Sequence, residues 1–121
     1  MRDEKQEPED LRPQTKKFAL RIIRLYAALP KQTVAQIPGK QLLRSGTSVG
    51  AHYREAFRGK SYADFISKME GALQELDEAQ YWLELLVESG SVSEKHLQPL
   101  LDETDELIAI FVTIVKRTKD H

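Results

Sequence analysis

The sequence predicts an all-α protein, folded as an up-down-up-down antiparallel four-helix bundle, and three observations lead to this fold class. Apolar residues recur every three or four positions through four long segments, and no segment keeps the two-residue period of a strand for more than a few positions. Proline, glycine and serine separate the four segments and leave only short connections between them. Because short connections make successive helices antiparallel neighbours, the 121 residues are expected to form one such domain.

The first helix is predicted to run from Thr15, which can cap it, to Leu29, where Pro30 ends it. Residues 1–14 are polar, contain two prolines and show no helical period. This composition indicates a mobile polar arm, followed by a bundle domain at residues 15–118.

The second helix is predicted from about Lys40 to Phe57, after a linker that contains Pro38. Its core stripe, placed by the helical period, consists of Leu42, Gly46, Val49, Tyr53, Ala56 and Phe57. Gly46 and Gly50 lie in or beside this stripe, where a missing side chain allows another helix to approach closely. Such packing would offset the helix propensity lost at each glycine, which is up to about 1 kcal/mol relative to alanine.

The third helix is predicted to begin after Ser61 and to reach about Glu88, with Gly90 as its C-terminal stop. Ser61 is followed three residues later by Asp64, a variant of the capping box that opens many helices.

The fourth helix is predicted from about Ser93 to Lys116. Pro99 lies inside this segment, so the sequence favours either a kink at the proline or a helix that starts nearer Gln98. Basic residues from Lys116 onward close the helix, where cations complement the helix dipole.

Charge is divided unevenly along the chain, although the formal net charge is only −1. Residues 15–60 carry ten lysines or arginines and one glutamate, whereas residues 61–121 carry five cations and thirteen carboxylates. A basic half joined to an acidic half indicates either a polyanionic partner or association between unlike faces of subunits. Two functions therefore stay open: binding of RNA or DNA, and a scaffolding homo-oligomer whose basic helices pair with acidic helices of adjacent subunits.

The predicted nucleic-acid surface is a cationic stripe on the first two helices that contacts phosphates and is weakly specific for sequence. Its members are Arg21, Arg24, Lys40, Arg44, Arg54, Arg58 and Lys60. No aromatic residue is interleaved with this stripe to form a platform for base stacking. A charged helix face that is merely solvated is the alternative interpretation.

A polar group on the second helix, formed by Ser48, His52 and Glu55, has a structural and a catalytic interpretation. The structural one is a hydrogen-bonded contact between helices or subunits. In the catalytic one His52 activates Ser48, but no oxyanion donor is evident. Arg44 and His52 are eight residues apart, whereas helical ribonuclease domains place an arginine and a histidine only a few residues apart. We expect the structural role and no enzymatic activity.

Other classes of function lack their sequence signals. No histidine follows a glutamate at the Glu-x-x-His spacing of di-metal bundles, no phosphate-binding glycine loop follows a strand, and there is no cysteine. The sequence therefore predicts no metal site and no cofactor. It also has neither an apolar run long enough for a membrane span nor the apolar core of a signal peptide, so a cytoplasmic location without membrane contact is expected.

Tyr81 and Trp82 form an aromatic pair late in the third helix. Such a pair can serve as a platform for a cofactor or a base, but aromatic residues at this place in a bundle more often belong to the core or an interface. The leucines that follow the pair widen the apolar face beyond one stripe, which indicates burial against another subunit.

Two stretches resemble the bacterial four-helix-bundle family named for proteins encoded in 23S rRNA intervening sequences. They are QLLRSGTSVGAHYREA and SYADFISKMEGALQELDEAQYWLELL. The first matches the family's Arg, Ser, Asn and Glu-Ala pattern at Arg44, Ser48, His52, Glu55 and Ala56, with a histidine in place of the usual asparagine. The second matches an Asp-Phe, Lys, Glu, Tyr-Trp-Leu-x-Leu-Leu block that runs through residues 64–86.

The resemblance covers roughly residues 15–118 and implies an up-down bundle that assembles as a homopentamer around a central channel. It also implies a relationship to the accessory proteins of diversity-generating retroelements, which are basic pentamers that bind nucleic acid and a reverse transcriptase. RNA or DNA, and a reverse transcriptase, are therefore the partners that the resemblance implies.

Overall fold

The computed structural model describes residues 10–120, which form four α-helices and, within that range, no strand. α1 spans Arg12–Ala28, α2 spans Thr33–Phe57, α3 spans Tyr62–Glu88 and α4 spans Glu94–Lys119. Helices that follow one another along the chain pack together, so the predicted all-α four-helix bundle is confirmed. Residues 1–9 of the predicted arm lie outside the described residues.

The first helix begins at Arg12, so the predicted start at Thr15 is wrong. Pro13 occupies the first turn, where its missing N–H costs no intrahelical hydrogen bond. Leu11, just before the helix, is fully buried, and its N–H donates to the Tyr53 hydroxyl at 3.0 Å. Thr15 lies inside the helix, where its hydroxyl donates to the Leu11 carbonyl. Burial of Leu11 thus extends the bundle into a segment whose composition is that of a polar arm.

The second helix begins at Thr33, so Pro38 lies within it rather than in a linker. A proline in the second turn removes one intrahelical hydrogen bond. The neighbouring Gly39 is buried against α1, and a Cβ at this position would lie 2.5 Å from Leu29 Cδ1. This close packing against α1 holds in a helix a stretch that the sequence alone marks as a break.

Two further glycines of α2 allow α1 to approach closely, as predicted. A Cβ at Gly46 would lie 2.8 Å from Ile22 Cγ1, and a Cβ at Gly50 would lie 3.1 Å from Thr15 Oγ1. Ile22 and Thr15 are both fully buried, so side chains of α1 occupy the space that the glycines leave.

The predicted signals at the two ends of α3 are confirmed. Ser61 Oγ accepts the Asp64 N–H at 3.1 Å, and the Asp64 carboxylate accepts the Lys60 N–H at 3.2 Å. At the C-terminal end Gly90 adopts a φ of 79°, and N–H groups after the helix donate to carbonyls of its last turn. This left-handed residue and these bonds form the Schellman motif that ends the helix.

The fourth helix begins after Ser93, whose hydroxyl oxygen accepts the His96 N–H at 3.2 Å. It continues through Pro99 to Lys119, so the alternative start near Gln98 is wrong. The predicted cations occupy its last turn.

The core runs through the bundle and receives large apolar side chains from all four helices. Its largest members include Phe18, Ile22, Leu42, Met69, Leu76, Leu83, Leu107 and Phe111. The ring centre of Phe111 lies 5.6 Å from that of Tyr53, which joins α4 to α2. None of the helices within residues 10–120 is long and apolar enough to cross a membrane.

The start of α1, the end of α2, the start of α3 and the end of α4 lie at one end of the bundle. We call it the turn end, after the α2–α3 turn at residues 58–61. The hydrogen bond from Leu11 to Tyr53 joins the start of α1 to α2 there. Tyr62 of α3 and Ile114 of α4 line one cavity at the same end.

Candidate nucleic-acid interface

The predicted cationic stripe does not form one surface, because the cations of α1 face α4. Arg21 forms an ion pair with Glu103 of α4. Arg24 is exposed and, together with Arg21 and His96, borders a groove of about 280 Å³ between α1 and α4. These cations therefore lie on the side of α1 that is remote from its glycine-mediated contact with α2.

Arg44 is held by carboxylates of α3. Its guanidinium contacts the two Glu75 oxygens at 3.3 Å each and Glu78 Oε1 at 2.6 Å. Hydrogen bonding to Glu75, with a smaller effect of Glu78, raises the pKa of Arg44 above its ordinary value. The Glu75 side chain is only 11% exposed, so Arg44 supplies the countercharge that a buried carboxylate needs. The structure thus gives Arg44 a role in packing α2 against α3.

The polar group of α2 lies in the same contact between α2 and α3. The Ser48 hydroxyl donates to the Arg44 carbonyl at 2.7 Å. His52 Nε2 lies 3.6 Å from the Glu75 carboxylate, and its Nδ1 lies 3.9 Å from Glu55. The imidazole also packs against a glycine of α3. This geometry fits the structural interpretation, because Ser48 and His52 do not form the hydrogen bond that joins a nucleophile to its base.

The remaining cations of α2 and its following turn collect at the turn end. Arg54, Arg58 and Lys60 are exposed there, and neither Arg58 nor Lys60 pairs with a carboxylate among residues 10–120. A hydrogen bond from Arg12 to the Asp10 carboxylate is the largest cause of the lowered pKa of Asp10, and the charge of Arg54 lowers this pKa further. Arg54 thus faces the start of α1. Arg58 and Lys60 are therefore open to an external anion at this end of the bundle.

Sequence reasoning missed part of this surface, because helix ends that are far apart in the chain supply it. Arg12 at the start of α1, and Lys116 and Arg117 near the end of α4, lie at the same end of the bundle as Arg58. The signal that could have found them is the antiparallel order itself, which places the starts of α1 and α3 beside the ends of α2 and α4.

Two exposed aromatic residues stand among these cations, so the prediction that none is interleaved with them is wrong. Phe57, predicted in the core stripe, is 49% exposed, and Tyr62 is 60% exposed. Phe57 leaves the core because α2 ends at this residue and the chain turns away through Gly59. The Arg12 guanidinium carbon lies 5.0 Å from the Phe57 ring centre, which is a cation–π contact.

Lys40, Tyr81 and Trp82 lie away from the turn end. Lys40 is exposed on α2, roughly 20 Å along the helix from Arg54. Tyr81 is 53% exposed and meets the Trp82 ring edge-on at 5.0 Å, while Trp82 packs against the core. At 1.5 Å per residue, this pair lies roughly 30 Å along α3 from Tyr62. The pair is thus separate from the cations of the turn end.

These features define a small all-α bundle protein with cations and aromatic residues gathered at one end. The sequence model of a protein family, described as 23S rRNA-intervening sequence protein, matches residues 10–113 of the chain. The chain belongs to this family, which confirms the resemblance found in its sequence.

A solved structure extends the comparison to coordinates. The protein of unknown function from the S23 ribosomal protein family of Bacteroides thetaiotaomicron VPI-5482 has 37% sequence identity to this chain and a TM-score of 0.82. The match covers 88% of this chain and 95% of that chain. No curated protein matches the sequence. The family model and the solved structure therefore indicate the same family and the same fold.

Proposed function

We propose that this protein is a non-enzymatic, cytoplasmic homopentamer that binds the backbone of RNA or DNA through its cationic surface. The observation that carries the proposal is the turn end, where Arg54, Arg58 and Lys60 are exposed together. The pentamer rests on the family's expected assembly. The relationship to retroelement accessory proteins extends the proposal to a reverse transcriptase as a protein partner.

The predicted phosphate-binding residues differ in their surroundings. Arg54, Arg58 and Lys60 form the centre of the proposed surface, because no internal carboxylate of residues 10–120 forms an ion pair with Arg58 or Lys60. Arg21 and Arg24 stay outside this centre, because they border the α1–α4 groove nearer the opposite end of the bundle and Arg21 forms an ion pair with Glu103. Phosphate contacts of this kind position a nucleic acid without reading its sequence, so weak sequence preference is expected.

Replacing Arg54 and Arg58 together with alanine is expected to weaken binding of a short RNA and to flatten its dependence on salt. For a single strand, each phosphate that the protein no longer neutralises should reduce the slope of log affinity against log salt by about 0.7, so the double variant should lose roughly 1.4. Fluorescence anisotropy titrations at several salt concentrations would measure both quantities.

The matched control is the double replacement of Lys31 and Lys95 with alanine. These exposed lysines lie at the opposite end of the bundle, and replacing them removes the same total charge. A control variant with parental affinity and slope would locate the phosphate-binding surface at the turn end. Unchanged binding in the Arg54 and Arg58 double variant, or equal losses in both double variants, would refute the proposed surface.

A second candidate function is a scaffolding homo-oligomer without a nucleic-acid role. The observation that favours it is an acidic groove of about 290 Å³ between α3 and α4, bordered by Glu84, Glu88, Glu94 and Asp105. This groove has the charge needed to receive the basic helices of an adjacent subunit.

Light scattering at low and high salt separates the two candidate functions. An oligomer mass that falls in high salt and does not change when RNA is added would favour the scaffold. An oligomer that is stable in high salt and gains mass when RNA is added would favour nucleic-acid binding.

A further inference from the structure

An open cavity of about 660 Å³ lies at the turn end, among the cations described above. It is bordered by the end of α2, the α2–α3 turn, the first turn of α3 and the last turns of α4. Its walls are mainly apolar and include Phe57, Tyr62, Phe65 and Ile114. The volume falls within the range of about 300–1,000 Å³ that is usual for small-molecule sites.

Aromatic side chains form the accessible walls of this cavity. Phe57 and Tyr62 are about half exposed, although phenylalanine is among the residues that are most often buried. Phe57 is held in place, because its ring meets Tyr53 edge-on at 4.8 Å and lies under the Arg12 guanidinium. The cavity therefore offers a flat apolar group a fixed surface on which to stack.

One cation, Lys60, lines the cavity directly. A second cation, Arg58, lies two residues before Lys60 in the same turn. Neither side chain has a carboxylate partner within residues 10–120. An apolar floor beside free cations is complementary to a ligand that joins a flat ring to an anion, which is the chemistry of a nucleotide.

We propose that this cavity receives an unpaired base of a single-stranded nucleic acid, which stacks on Phe57 and Tyr62 while neighbouring phosphates contact Arg58 and Lys60. The inference rests on the proposed function and narrows its ligand from any phosphate backbone to single strands. A base inside a duplex is stacked on both faces and paired along one edge, so it cannot enter the cavity without leaving the helix.

The test compares two labelled single strands of equal length, an oligothymidine and the same backbone with its bases removed. Fluorescence anisotropy would measure the affinity of each strand for the full chain and its variants. Tyr62→Ala and Phe57→Leu should each weaken binding of the oligothymidine about tenfold and leave binding of the abasic strand unchanged, because only stacking is lost. Phe57→Leu keeps an apolar side chain at the end of α2, and circular dichroism would check that both variants fold.

Ile37→Ala is the matched control, since Ile37 is 60% exposed, like Tyr62, but lies roughly 30 Å along α2 from Phe57. This variant should bind both strands like the parent protein. Equal affinity of the parent for both strands, with no effect of Tyr62→Ala or Phe57→Leu, would overturn the inference and leave the phosphate-binding proposal standing. Failure of the parent to bind either strand would overturn both.

A second copy of the chain is the competing occupant of the cavity. In that case Tyr62→Ala would lower the oligomer mass measured by light scattering in the absence of nucleic acid. That result would also overturn the inference, whereas an unchanged mass together with a selective loss of oligothymidine binding supports it.

Discussion

Replacing Arg44 with alanine is expected to lower the free energy of unfolding by roughly 2 kcal/mol, because it leaves the Glu75 carboxylate buried without its main countercharge. Removing one partner of a fully buried ion pair costs about 3–5 kcal/mol. The Arg44 side chain is 52% exposed, so solvent screens part of this interaction and the expected loss is smaller. Urea denaturation at a fixed protein concentration would measure the difference between variant and parent.

A second variant distinguishes the two possible causes of this loss of stability, an unpaired buried charge and weakened packing. If the uncompensated carboxylate causes the loss, Arg44→Ala combined with Glu75→Leu should recover most of the stability. Arg24→Ala removes an exposed cation that has no ion pair among residues 10–120, and it should change the unfolding free energy by less than about 0.5 kcal/mol. If Arg44→Ala lost as much stability alone as together with Glu75→Leu, the unpaired Glu75 carboxylate would not be the cause of the loss.

Replacing Phe111 with alanine is expected to lower the free energy of unfolding by about 3–5 kcal/mol. Phe111 is fully buried on α4, and its ring packs near Tyr53 of α2, so truncation leaves a cavity where the two helices meet. Thermal and urea denaturation would both record the loss. Because Tyr53 also accepts the Leu11 N–H, hydrogen exchange at Leu11 should become faster in this variant.

The control for Phe111 is its exposed neighbour on α4. Val112→Ala also shortens an apolar side chain, but Val112 is about half exposed, so its effect should stay below about 0.5 kcal/mol. A loss below about 1 kcal/mol for Phe111→Ala would contradict the central place of this ring in the core.

Local sequence signals are sufficient to predict a helix end where a single residue determines the backbone conformation there. Ser61 and Gly90 mark the two ends of α3 correctly, and Ser93 marks the start of α4, because caps and a left-handed glycine act within a few residues. The starts of α1 and α2 are predicted too late, because tertiary contacts decide them. Leu11 is buried beside Tyr53, and Gly39 packs against α1, and neither contact is visible in composition or periodicity.

The candidate site is predictable only in part for a related reason. A helical wheel places the cations of α2 on one side, but it does not give the register of α3, and this register is what puts Glu75 beside Arg44. The same wheel assigns Phe57 to the core, because periodicity contains no information on where the neighbouring helices stop. The association of Arg12 with Phe57 depends on bundle closure over more than forty residues of chain.

The position of the turn end bears on how the protein is handled in the laboratory. Residues 10 and 120 both lie at this end, because α1 starts and α4 finishes there. An affinity tag or fluorophore joined near either of these residues would therefore crowd the surface on which ligand titrations depend. A label in the connection between α1 and α2, or between α3 and α4, would sit at the far end of the molecule and leave that surface clear.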